Sequence, residues 1–250
     1  AATAIAAAAL VLALLVRLPE APQRRQRLRS QMRLRPGDVI DRRAFPIALV
    51  SLLTSAAFGS VITFLDSFAQ GEDMGNVASL YFLVFAAAVL VTRLFVGRIQ
   101  DHFGDNAAVY PAMLVFVVSL GLLAWSPNEA VVLLSAVCAG FGHGSLMPVM
   151  QAIIASKLPT HRISIGLSTF FIMMDSGFGL APLFLGQFVE VWGYQIMYAA
   201  CAGVIVLVLG LYWVFHGRYS VKQGVAGKRR DRWVNDATGV MPQVQPPDRR

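Results

Sequence analysis

Asp175 is the residue in this sequence best placed for chemistry. It stands about twelve residues into the apolar run from Ile163 to Val189, which at a rise of about 1.5 Å per residue puts it near the middle of a membrane-spanning helix. A carboxyl at that depth costs on the order of 3 kcal/mol to insert, so it must face a cavity or a partner rather than lipid. One reading is a proton or cation coupling site; the plainer one is a carboxyl paired with a neighbouring helix. Around it Gly177, Gly179, Pro182 and Gly186 allow close helix contact and, at the proline, a bend. Asp66, near the far end of the run Phe45–Phe68, either lines the mouth of a pathway or rests at the water interface. In the run 130–155, Gly140-Phe141-Gly142-His143-Gly144 is followed by Pro148 and Gln151. The glycines and proline describe a slim, flexible helix. His143 and Gln151 are candidates to bind a substrate, and histidine also carries protons; a lone membrane histidine equally serves by bonding a neighbouring helix. Arg93, Gly97 and Asp101 recur every four residues and share one face if the helix runs that far. Such a face forms an ion-pair latch, or simply a snorkelling arginine and a solvated aspartate.

Other chemistries lack their residues. The sequence holds no HExxH, P-loop, GxSxG or paired-cysteine ligand set, so no enzymatic activity, cofactor or metal site is expected. The alternating glycines at 140–144 are not a phosphate-binding fingerprint, because no strand precedes them. Cys138 and Cys201 each sit inside an apolar run and read as packing residues.

The composition explains where these side chains are held. Hydrophobic residues make up 56% of the 250 and charged residues 14%, against about 25% charged in a soluble domain. Residues 45–216 hold 12 charges in 172 positions. That excludes a single soluble core and a disordered chain. Seven apolar segments appear: Ala1–Leu18, Phe45–Phe68, Val77–Val96, Ala107–Trp125, Ala130–Ala155, Ile163–Val189 and Gln195–His216. The last six are long enough to cross about 30 Å of hydrocarbon, and each must be helical to satisfy its backbone there. Segment length and the lack of period-two alternation exclude a barrel. The fold class is therefore all-α, a polytopic membrane helix bundle.

The connections alternate in charge. Residues 17–44 carry nine Arg, the tail after His216 carries eight Lys or Arg, and Arg93, Arg98, Lys157 and Arg162 lie on the links between. The intervening links carry Glu72, Asp73, Glu129 and Glu190 with no Lys or Arg. All 21 cations thus fall on one side, which the positive-inside rule makes cytoplasmic. The C-terminus is expected inside, in the cell membrane. The net charge of +7 then belongs to a membrane surface, not to nucleic acid. The expected organisation is a partial transmembrane helix at 1–18, a basic cytoplasmic linker at 19–44, a six-helix domain at 45–216 and a disordered basic tail at 217–250. The chain starts at Ala1 inside an apolar run, with no basic region ahead of it, and reads as cut from a longer protein.

Gly97-Arg98-Ile99-Gln100-Asp101-His102-Phe103-Gly104 resembles the G-x-x-x-D-x-x-G loop signature of the major facilitator superfamily. In that family it falls between the second and third helices of each six-helix half, and here it follows the second of six spans. The preceding Arg93 also resembles the family; His102, Asp105 and Asn106 depart from its usual basic residues. The basic stretch 17–44 resembles the family's central linker. The stretch from Gly140 through Pro148 to Gly186 resembles the tenth and eleventh helices of its drug and metabolite exporters. On this resemblance the chain is the end of helix six, the linker and helices seven to twelve. It implies alternating-access transport of a small organic solute, with proton-coupled efflux the expected mode. Asp175, His143, Gln151 and Asp66 are then pathway candidates, Arg93, Gly97, Asp101 and Gly104 a cytoplasmic gate, and the expected partners are the small-molecule substrate, H+, the bilayer and a missing N-terminal half. A non-transporting scaffold that uses its basic loop and tail on lipids or a cytoplasmic protein is the alternative.

Overall fold

The computed structural model describes residues 41–126, 128–159 and 162–214. The expected segments 1–18 and 217–250, and all but the end of the linker 19–44, lie outside the described residues. What is described is helical: α1 (Phe45–Gly71), α2 (Val77–Phe103), α3 (Asp105–Trp125), α4 (Glu129–Lys157) and α5 (Ile163–Tyr212). All five are long and apolar enough to cross a membrane.

Two links expected from the sequence are shorter in the structure. The stretch after Val96 is not a loop: α2 continues to Phe103, and one residue, Gly104, separates it from α3. Gln100, Asp101 and His102 are compatible with a helix, and the turn falls where φ is +87°, a conformation that glycine adopts without a Cβ penalty. The two spans expected at 163–189 and 195–216 likewise form one run of 50 residues, α5. A straight helix of that length would measure about 75 Å, over twice the hydrocarbon thickness. The run breaks at Gly193, at φ 79° and ψ 170°, so it makes two arms, and six helical segments result.

Asn128 caps α4, its side-chain oxygen accepting the Val131 N–H at 3.1 Å. Pro46 opens α1, where a missing N–H costs nothing. α1 packs chiefly on α5, and α4 on α2 and α3. One side chain joins all five helices. The Phe58 ring of α1 is 4.9 Å from Phe85 of α2, 6.2 Å from Phe116 of α3, 4.2 Å from His143 of α4 and 6.5 Å from Phe178 of α5, centroid to centroid. Hydroxyls in this apolar interior bond back to their own helix: Ser60 to the Ala57 carbonyl at 2.6 Å, Thr92 to Ala88 at 2.7 Å, Ser145 to Phe141 at 2.7 Å. That is how a helix carries Ser and Thr without stranding a donor. The outward surface is apolar, with Leu83, Leu90 and Leu94 of α2 each more than 60% exposed. Such a face suits lipid or another membrane segment, not water.

Candidate functional site

The first arm of α5 has two contrasting faces. Thr169, Phe170, Met174, Gly177 and Ala181 are buried, on the side turned to α1. Asp175 is exposed, and at 100° per residue it shares its face with exposed Ser164, Ser168 and Gly179. Among the described residues nothing bonds the Asp175 carboxylate. Exposed Phe171 lies on this face too, so it mixes small polar residues with an aromatic ring, whereas the second arm exposes Ile196, Val204, Val206 and Leu207. Pro182 lies inside the first arm, and a Cβ on Gly186 would come no closer than 3.9 Å to the Phe64 ring.

The other candidates are scattered. Asp66 is exposed at the end of α1, where its Oδ2 accepts Gln70 Nε2 at 2.8 Å. His143 is 4% exposed, stacked on Phe58 at 20° and tilted against Phe116 at 5.2 Å, with Phe178 at 6.3 Å. Its Nδ1 is buried with no hydrogen-bond partner among the described residues. Gln151 is half-buried one turn past Pro148 on α4. The structure does not bring Asp175, His143, Gln151 and Asp66 together. Two mainly apolar grooves, of about 260 Å³ between α2, α3 and α4 and about 270 Å³ between α1 and α5, are lined by none of the four.

The glycines differ in what they allow. A Cβ on Gly140 would sit 2.9 Å from the Phe85 carbonyl oxygen, and one on Gly142 would sit 2.6 Å from the Phe116 nitrogen. One on Gly144 would collide with a methyl of Val89, and one on Gly177 with the carbonyl oxygen of Leu52. Gly179 has open space around it.

Because α2 runs to Phe103, Arg93, Gly97 and Asp101 do share a helical face. All three are exposed. Among the described residues neither Arg93 nor Asp101 forms an ion pair. The next residues make local contacts instead. Gln100 Nε2 donates to Asp105 Oδ1 at 3.0 Å and to the Val149 carbonyl at 3.3 Å. Tyr212 donates its hydroxyl to Asn106 Oδ1 at 3.2 Å, and Lys157 adds positive charge near Asp105. Asp105 and Asn106, which depart from the family's basic pattern, thus tie α3 to α2 and to the second arm of α5.

Sequence reasoning missed one charged contact entirely. Asp41 is 2% exposed just ahead of α1. Its Oδ2 lies 3.0 Å from Arg162 Nε, its Oδ1 accepts the Arg43 N–H at 2.8 Å, and its own N–H donates to Thr169 Oγ1 at 2.9 Å. The start of α1 is thereby fastened to the start of α5. In the sequence Asp41 was one acid in a basic linker and Arg162 one cation among many. No local signal joins residues so far apart.

Comparison with known proteins agrees with the helical architecture. A family model described as Major Facilitator Superfamily matches residues 1–128 and 75–239. The Quinolone resistance protein NorA of Staphylococcus aureus (strain N315) is 26% identical over 155 residues, which are 62% of this chain and 39% of that protein. The Uncharacterized MFS-type transporter YhhS of Escherichia coli (strain K12) is 25% identical over 161 residues, 64% of this chain and 40% of that protein. The matched region thus spans about two-fifths of each relative's length.

Proposed function

We propose that this chain, which belongs to the Major Facilitator Superfamily, forms one half of a carrier that moves small organic solutes across a membrane by alternating access. The observation that carries the reading is the exposed Asp175 among Ser164, Ser168 and Gly179 on an otherwise apolar, membrane-length helix. A carboxyl there needs a polar pathway or a partner, and the α5 face that bears it has none among the described residues. The second half supplies the facing wall, with substrate near the midplane between halves. The greater length of the relatives supports that missing half. Asp175 binds and releases the proton that biases the inward and outward states; the enclosed His143 is less accessible for that task. Arg93, Gly97 and Asp101 face the other half as the gate. The role is carriage and not catalysis.

The direction is efflux, supported by the name of the staphylococcal relative, which also makes a quinolone the first substrate to test. In proteoliposomes of the full-length protein, proton-linked quinolone flux is expected to fall about tenfold or more in Asp175→Asn, the scale of a strong coupling between two sites. Unchanged coupling would remove Asp175 from the mechanism, and no flux from the wild type would favour a scaffold. The cation distribution supports a cytoplasmic C-terminus in the cell membrane. A cysteine at Asn76 should react with an impermeant maleimide on intact cells, and one at Ser156 only after lysis; the reverse pattern would invert the topology.

A further inference from the structure

The groove of about 260 Å³ between α2, α3 and α4 lies at the end of the bundle that carries Arg98. Ala107, Pro111 and Val115 of α3 line it, with Phe95 and Ile99 of α2 and Phe141 of α4. Phe95, Ile99, Pro111 and Phe141 are exposed, so it opens on the outer surface of the described bundle. From Ala107 to Val115 the helix advances about 12 Å, most of the roughly 15 Å of hydrocarbon in one leaflet. The groove is also lined by Thr92 and Ser145, but both spend their protons on their own helices, donating to the Ala88 and Phe141 carbonyls at 2.7 Å each. The wall therefore has no hydroxyl proton to offer a polar solute. Its shape and chemistry suit an alkyl chain.

The mouth of the groove is charged. Phe95, Arg98, Ile99 and His102 stand at i, i+3, i+4 and i+7, one stripe of α2, and Arg98 and His102 are exposed on it. Among the described residues Arg98 forms no ion pair. α3 starts at the same mouth with Gly104 as its N-cap and no side-chain cap, so its first N–H groups add positive potential. The two nearby acids are directed elsewhere. Asp105 accepts from Gln100 and has Lys157 beside it. Asp101 belongs to the Arg93–Gly97 stripe, whose centre lies roughly 150° round α2 from this one. An apolar slot ending beneath a guanidinium and a helix N-terminus is complementary to a phospholipid with net negative charge, whose phosphate a guanidinium binds in two-pronged fashion. We propose that the groove holds one acyl chain of an anionic phospholipid, with its phosphate on Arg98. The site goes beyond the transport reading and requires only that these helices span a membrane.

The test uses the full-length protein in phosphatidylcholine nanodiscs doped with a trace of photoreactive lipid, either phosphatidylglycerol or phosphatidylcholine, carrying a diazirine halfway along one chain. Adducts on Phe95, Ile99 and Phe141 should be about fivefold more abundant with phosphatidylglycerol, the preference one cation gives an anionic headgroup. The exposed Leu83 and Leu90, away from the groove, should label equally with both lipids. Arg98→Gln, a surface change, should abolish the preference. Ala107→Phe, which fills the groove, should lower groove adducts of both lipids at least threefold. Groove residues left unlabelled, as when another part of the protein or a second copy covers them, would overturn the site. So would equal labelling by the two lipids in the wild type, or a preference that survives Arg98→Gln.

Discussion

Replacing Arg162 with Met is expected to lower the stability of the folded protein more than replacing its partner, Asp41, with Asn. The pair is asymmetric: the Asp41 side chain is 3% exposed and the Arg162 side chain 41%. Losing the arginine leaves a buried carboxylate that, among the described residues, is supported by the Arg43 N–H alone. Removal of one partner from a buried pair costs about 3–5 kcal/mol, mostly for the charge left behind, and the solvated side of this pair places the loss near 3 kcal/mol. Losing the carboxylate charge leaves a guanidinium that is already 41% exposed, and Asn keeps an oxygen for the Arg43 N–H. That loss is about 1 kcal/mol. Thermal unfolding in detergent, followed by tryptophan fluorescence, ranks the two variants. Equal losses would show that the pair is governed by packing and not by the cost of burying charge.

The second large effect is expected at Gly177. A Cβ there collides with the Leu52 carbonyl oxygen and comes within 3.0 Å of the Ala56 nitrogen. Both are backbone atoms of α1, so no rotamer relieves the contact and the two helices must part. Gly177→Ala should cost about 3 kcal/mol, the upper part of the overpacking range. Gly179→Ala, two residues along the same helix with open space around it, should cost nothing and gain up to about 1 kcal/mol from helix propensity. The difference in unfolding midpoint between the two variants checks this. Similar behaviour would mean that α1 and α5 do not touch at Gly177.

These two predictions also mark how far the sequence could be read. Hydropathy located every described helix, because an apolar run of membrane length has one structural solution. It did not separate Gly177 from Gly179, since spacing identifies small residues and not the face that meets α1. It extended the links too far at 97–106 and 190–194: polar residues such as Gln100 and Asp101 look like loop, yet a single glycine suffices for each turn. Asp175 stood out because a charge in an apolar run is rare. Phe58 did not, because one phenylalanine among 16 has no local mark of its position. Asp41 was hidden for the opposite reason, being one charge in a stretch full of them.

Phe58 acts as a keystone. With one ring wedged against a ring from each of the other four helices, none of them can slip along its axis without the rest repacking, and interiors packed at crystal-like density resist that. Under the carrier role proposed above, the bundle would pivot as a block, and the seam that yields would lie outside this aromatic cluster.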